Sequence, residues 1–118
     1  MPTDLLGPWV RERQVMPLEE AIRKLTSVQA QLFGLSGRGV LATGAHADVV
    51  VFDPATVAPG PLRRVRDFPG EAERLTADQP RGMHHVFVNG RPVVSDGKLV
   101  EAALADRPGA VLAPAPRA

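Results

Sequence analysis

The dipeptide Asn89-Gly90 constrains this chain more tightly than any other pair of its residues. It lies between two apolar runs, in His85-Val-Phe-Val-Asn-Gly-Arg-Pro-Val-Val94. A two-residue type I′ turn needs positive φ at both central positions, which asparagine and glycine tolerate best. The segment is therefore expected to be a β-hairpin. Its register would pair Val88 with Arg91 and Val86 with Val93 on one face, and Phe87 with Pro92 and His85 with Val94 on the other. In a regular ladder Arg91, Val93 and Ser95 aim their backbone groups at the first strand, while Pro92 and Val94 face away. Ser95 would then be unable to close a two-residue turn onto Lys98. The expectation is a three-residue turn, Ser95-Asp96-Gly97, with Gly97 left-handed in a G1 bulge and Val94 facing Lys98. Pro92 lacks an N–H, so a third strand should lose its partner soon after Leu99.

A second stretch, Gly39-Val-Leu-Ala-Thr-Gly-Ala-His-Ala-Asp-Val-Val-Val-Phe-Asp53, divides helix-like sequence from strands and loops. Gly39 and Gly44 signal a sharp turn. Residues 47–53 are a short valine-rich run between turn signals, the pattern of a strand buried on both faces. Upstream, a short helix is expected to begin near Pro8, where a missing N–H costs nothing in a first turn. Another starts at Pro17, with Glu19 and Glu20 at its positive dipole end. Leu18, Ala21, Ile22 and Leu25 fall at i, i+3, i+4 and i+7, one apolar stripe. Thr26 with Gln29 reads as a capping box opening a further helix after a bend, and Gly34 as its stop. These helices read as scaffold.

After Asp53 the sequence becomes proline-rich and carries Arg63, Arg64 and Arg66, so a long loop is expected over about 54–83. It would be disordered or packed on a surface that this chain lacks, with its arginines solvated rather than gripping an anion. From Glu101 onward a strand-like or wandering arm with a frayed end is expected. The fold class is α+β: helices first, then a small, mostly antiparallel β unit.

Composition narrows the function classes. A chain of 118 residues suffices for one core. A formal net charge of +1 argues against a nucleic-acid partner. The absence of cysteine removes disulfides, thiolate nucleophiles and cysteine-bound metals, and fits a cytoplasmic location. No apolar run approaches a membrane span.

The candidates for chemistry are few. His46, His84 and His85 are the only histidines. Neighbours on a strand point to opposite faces, so His84 and His85 would not grip one ion. His46 and Asp48 share a face but lack a third ligand. Ser27, Ser36 and Ser95 lie outside any Gly-x-Ser-x-Gly context. The Gly39 and Gly44 spacing is not a phosphate loop, because no Gly-Lys-Ser/Thr follows it. No catalytic, cofactor-binding or metal-ligating residue is assigned.

Several segments in order nonetheless carry a resemblance: Leu5-Leu-Gly-Pro-Trp-Val-Arg-Glu-Arg13, Leu18-Glu-Glu-Ala-Ile-Arg-Lys-Leu-Thr-Ser27, Phe33-Gly-Leu35, Ala47-Asp-Val-Val-Val-Phe-Asp-Pro54, Val86-Phe-Val-Asn-Gly-Arg-Pro-Val-Val94 and Arg107-Pro-Gly-Ala-Val-Leu112. From about residue 5 to 112 the chain resembles the C-terminal end of metal-dependent amidohydrolases, most closely the N-acyl-D-amino-acid deacylase (D-aminoacylase) branch. One departure is Gln29, where that branch would place proline. The resemblance implies a TIM-like barrel carrying zinc, with a small β-sandwich beside it. The metal would activate water to attack an N-acyl amide carbonyl. It implies that residues 1–38 match the last barrel helices and 39–118 part of the sandwich. The family's metal ligands lie upstream of the matched positions, and Asp4 is not carried over as one. The chain alone is thus expected to be an inactive hydrolase fragment without zinc. Its partner would be the missing N-terminal barrel or a self-copy through exposed apolar faces. The alternative is a non-catalytic structural or interaction module.

Overall fold

The structure is a computed structural model that describes residues 2–113. It combines short helices with two antiparallel sheets, an α+β arrangement. The chain opens with a turn of α-helix, α1 (Pro2–Asp4), that runs into a π-helical segment over Leu5–Glu12. Helices α2 (Leu18–Leu25) and α3 (Ser27–Leu32) follow. A four-stranded sheet has the order β1 (Val49–Phe52), β4 (Met83–Val88), β5 (Arg91–Ser95) and β6 (Lys98–Leu99). A separate two-stranded arm pairs β2 (Arg63–Arg66) with β3 (Glu73–Thr76). Helix α4 (Glu101–Ala105) is the last regular element of the described residues.

The helical part follows its sequence signals with two changes. Pro8 does not open the first helix but lies inside the π-helical segment. Proline within an α-helix collides with the carbonyl four residues back, and a wider π turn moves that carbonyl aside. The bend at Thr26 is present, with φ −122° and ψ −90°, but the capping box is not formed. The Thr26 hydroxyl donates instead to the Ile22 carbonyl at 2.7 Å, a back-bond that competes with capping. Gly34, at φ 65°, terminates α3. Its N–H reaches the Gln31 carbonyl and the Leu35 N–H the Ala30 carbonyl at 2.8 Å, the paired bonds of a Schellman stop.

The sheet keeps the expected hairpin but not its full register. Val88 pairs with Arg91 and Phe87 with Pro92, yet Val86 pairs with Val94. Val93 is the extra residue of a β-bulge, so the expected pairs Val86–Val93 and His85–Val94 are not made. A bulge inverts the alternation of everything after it. Ser95 consequently does close a two-residue turn, facing Lys98 while Val94 faces Leu99. Asp96 and Gly97 take φ of 50° and 72°, a second tight turn in place of the expected three-residue one. Gly97 is left-handed as anticipated, and β6 ends at Leu99.

Three further expectations change. Strand β1 is not buried on both faces: it is an edge strand, with Val50 and Val51 52% and 41% exposed. The proline-rich stretch is not a featureless loop, because it carries the β2–β3 arm. Residues 101–105 are helical, consistent with the propensity of Glu-Ala-Ala-Leu-Ala. The expected frayed end beyond residue 113 lies outside the described residues.

The core sits where the helices meet the end of β1. Leu6, Val10, Ala21 and Val57 form its buried centre, ringed by Leu5, Met16, Leu18, Ile22, Leu25, Phe52 and Met83. The apolar stripe of α2 is therefore used as its spacing predicts. Val57 is fully buried. A turn built by Asp53 puts it there: its carboxylate accepts from the Ala55 N–H at 2.9 Å and the Thr56 hydroxyl at 2.7 Å. Gly7 lets the π-helical segment lie directly on this turn, since a Cβ there would stand 2.5 Å from the Val57 carbonyl oxygen. Arg11 donates to the same oxygen at 2.5 Å.

Candidate functional site

The most connected polar cluster surrounds the Asn89-Gly90 turn. Asp48, just ahead of β1, is its centre. One carboxylate oxygen accepts the Asn89 backbone N–H at 2.9 Å, and the other pairs with the Arg38 guanidinium. Arg38 is well covered, its side chain 13% exposed, and also approaches the Asn89 side-chain oxygen at 3.5 Å. The Gly90 N–H donates to the Ala47 carbonyl at 2.9 Å. On the opposite flank the Asn89 side-chain amide donates to the Pro108 carbonyl at 2.7 Å, and Arg91 pairs with Asp106. The turn is thus gripped by residues 38–48 on one side and 106–108 on the other. The Asn89 N–H holds the Asp48 carboxyl below its ordinary range; burial opposes it, and the Arg38 guanidinium adds to the lowering.

This arrangement settles what His46 and Asp48 do. Both Asp48 oxygens are engaged with protein donors, so the pair does not present a free carboxylate beside the imidazole. His46 packs instead toward Gly37, where a Cβ would stand 3.5 Å from the imidazole ring, and its backbone N–H bonds the Gly37 carbonyl at 2.9 Å. His84 is the extra residue of a bulge between β1 and β4, since Val51 pairs with His85 and Phe52 with Met83. The rings of His84 and His85 lie 6.5 Å apart. His85 has Ser95 Oγ at 3.5 Å from one ring nitrogen and Asp96 at 3.8 Å from the other, distances too long for strong hydrogen bonds. Among the described residues no group of three or more histidines, aspartates or glutamates is arranged to hold a metal ion. The described residues do not, among themselves, fit a zinc centre. Ser27 only approaches the Arg23 carbonyl at 3.5 Å.

The loop arginines are also engaged. Arg63 pairs with Asp78, Arg64 and Arg66 both reach Glu73 at 3.1 and 2.6 Å, and Arg74 pairs with Asp67 at 2.6 Å. They form a charge ladder across the arm rather than an anion site.

Sequence reasoning missed Arg38 and the grip of Pro108 on Asn89, because neither has a local pattern. The arm did have one, in Arg-Arg-Val-Arg facing Glu-Arg-Leu-Thr with opposite charges available.

An open apolar groove of about 400 Å³ runs beside β1, lined by Ile22, Val40, Leu41, Val49, Val50 and Phe52 among others. Leu41 is 83% exposed at its rim. No helix of the described residues is long and apolar enough to cross a membrane.

A profile of the amidohydrolase family matches residues 2–94 of this chain. The chain belongs to the amidohydrolase family. Its relatives narrow the branch. An N-acyl-D-aspartate deacylase of Alcaligenes xylosoxydans xylosoxydans is 43% identical over 116 residues, covering 95% of this chain and 20% of that protein. An N-acyl-D-glutamate deacylase of the same organism is 40% identical over 114 residues, covering 93% and 20%. A D-aminoacylase crystal structure, described as defining a novel subset of amidohydrolases, superposes with a TM-score of 0.66 at 38% identity. It covers 85% of this chain and 19% of that one. An N-acyl-D-glutamate deacylase from Bordetella bronchiseptica, complexed with zinc and a phosphonate inhibitor, matches with a TM-score of 0.60 at 42% identity, over 82% and 19%. The amidohydrolase resemblance read from the sequence is thereby shown. The chain spans about a fifth of the length of the curated relatives it matches.

Proposed function

We propose that this chain is the C-terminal section of a deacylase-type amidohydrolase and carries no catalytic activity by itself. Residues 1–38 correspond in this reading to the last helices of the barrel, and 39–118 to part of the accompanying β-sandwich. Hydrolysis of the N-acyl bond then belongs to the remainder of the enzyme, which supplies the zinc and its ligands. The observation that carries the reading is the asymmetry of the match: nearly all of this chain aligns with a fifth of each deacylase. The engaged state of Asp48 and the absence of a clustered ligand set among the described residues support it. The partner is the remaining barrel, seated on the groove beside β1 and on the exposed face of the arm. Exposed apolar edges favour association.

A second reading keeps the chain as a self-associating module, and the open β1 edge is what favours it. The two separate in one experiment. The purified chain is examined by sedimentation, zinc analysis and an N-acyl-D-amino-acid hydrolysis assay, alone and mixed with a deacylase barrel lacking this section. The first reading expects no zinc and no turnover alone, with turnover restored on mixing. Concentration-dependent dimers that ignore the barrel favour the second. Stoichiometric zinc and amide hydrolysis by the chain alone overturn both.

A further inference from the structure

We propose that Asn89 is a site of spontaneous deamidation and that the contacts gripping its turn govern the rate. Asn89 is the only asparagine of the chain, and glycine follows it. Both residues are exposed. The reaction needs a backbone nitrogen that can approach the side-chain amide, and a following residue without a side chain hinders that approach least. The Gly90 nitrogen loses its proton and attacks Cγ of Asn89. A new N–Cγ bond forms, the Cγ–Nδ2 bond breaks, and Nδ2 leaves as ammonia with the proton it takes up. The resulting succinimide adds water across one of its two carbonyl–nitrogen bonds. Opening at the former side-chain carbonyl gives aspartate, and opening at the former main-chain carbonyl gives isoaspartate. No oxidant, cofactor or enzyme enters the balance.

The structure holds each reacting atom away from that course. The Gly90 N–H, the source of the nucleophile, is engaged with the Ala47 carbonyl at 2.9 Å. The departing Nδ2 is fixed on the Pro108 carbonyl at 2.7 Å. The Asn89 N–H is bound to Asp48 at 2.9 Å, and Arg38 stands 3.5 Å from the side-chain oxygen. None of these partners belongs to the hairpin. All come from residues 38–48 or from the segment after α4, so the chain must open at one flank before Gly90 reaches Cγ. Local openings of this kind are far more frequent than global unfolding. Once made, the product prevents reclosure. An aspartate there has no side-chain N–H to offer Pro108 and sets a second carboxylate beside Asp48. An isoaspartate adds a carbon to the backbone of the turn itself.

The purified chain, incubated in mildly alkaline buffer and digested at intervals, tests this by mass mapping. The same chain in concentrated urea is the unclamped reference. The Asp96-Gly97 peptide is an internal control, since isomerisation there leaves its mass unchanged. Acid product is expected in the peptide holding Asn89, forming roughly tenfold more slowly in the folded chain than in urea. Asp106→Ala removes the exposed Arg91–Asp106 pair that holds the outer flank. It is expected to speed the reaction a few-fold, with an unchanged circular dichroism spectrum. Folded chain that stays unconverted when the urea sample has fully reacted would show that Asn89 is not a site. Equal rates in both states, or a folded Asp106→Ala variant that reacts no faster, would show that the clamp does not govern it.

Discussion

The hairpin of β4 and β5 and the hairpin of β2 and β3 have the same antiparallel pairing but are held by different forces. The first belongs to a four-stranded sheet, and its turn is fixed by Asp48, Ala47 and Pro108 from outside the hairpin. Met83 at its base packs against the core around Val57. The second is a two-stranded arm whose incoming and outgoing stems are paired at its base by the bridge between Ala58 and Arg81. Its ties are cross-strand ion pairs and a stacking of Arg74 on Phe68 at 5.5 Å. Leu62 and Leu75 stay 74% and 64% exposed. An isolated two-stranded hairpin is marginal in water. The contrast teaches that strand pairing alone does not make a rigid element: apolar burial and bonds to other segments do.

The sharpest way to break the contrast is at Gly82, which joins the arm to β4. Its φ is +69°, and a Cβ there would stand 2.5 Å from the Val57 nitrogen. Gly82→Ala is expected to cost about 3 kcal/mol from overpacking and a disfavoured backbone. Urea unfolding followed by fluorescence of Trp9, the only tryptophan, would read it. A midpoint unchanged from the parent would mean that the Val57 turn is not the anchor of the body.

Asp48→Ala should come next, at about 2 kcal/mol, because the Asn89 N–H and Arg38 both lose their partner. Asp48 also sets a pH dependence. Its carboxyl titrates lower in the folded chain than in the unfolded one. Its contribution is therefore complete above the unfolded value of about 4 and is lost as pH falls through the lowered folded value. Acid titration of the parent and of Asp48→Ala should show a stability difference that shrinks in this range. A constant difference down to the lowest pH would contradict the clamp.

Smaller effects should mark the arm. Its amides in β2 and β3 are expected to exchange with solvent faster than those of β4 and β5, since few buried contacts resist opening. Equal protection in both hairpins would erase the comparison. The smallest effect is expected for Arg64→Ala, below about 0.5 kcal/mol, because its pair with Glu73 is exposed and Arg66 shares the same carboxylate. A larger loss in the same urea assay would show that the ion-pair ladder itself stabilises the arm.

Much of the helical part was legible because its signals are local. The stripe of Leu18, Ala21, Ile22 and Leu25, the bend at Thr26 and the stop at Gly34 each depend on residues within two turns of one another. The Asn89-Gly90 turn was legible for the same reason, and its first two pairs followed. Beyond it the strand alternation breaks at Val93, because one inserted residue reverses every later pairing and leaves no mark in composition. The candidate site was legible only in part. In the sequence Asp48 stands beside His46 as a pair short of a third ligand, whereas its partners Arg38 and Asn89 are 10 and 41 residues away in the chain.

Amidohydrolase membership, the order of helices before strands, and the tight turn at Asn89-Gly90 are all written in the chain's short-range chemistry and in the order of its segments. Tertiary structure alone decided the rest. It left β1 at an edge, where a valine run read as buried stays exposed, because burial depends on which strands lie alongside. It turned the loop arginines into a ladder, because facing charges must first be brought across from each other. It made Asp48 a clamp rather than a ligand, because a carboxylate acts on whichever donors the fold delivers to it.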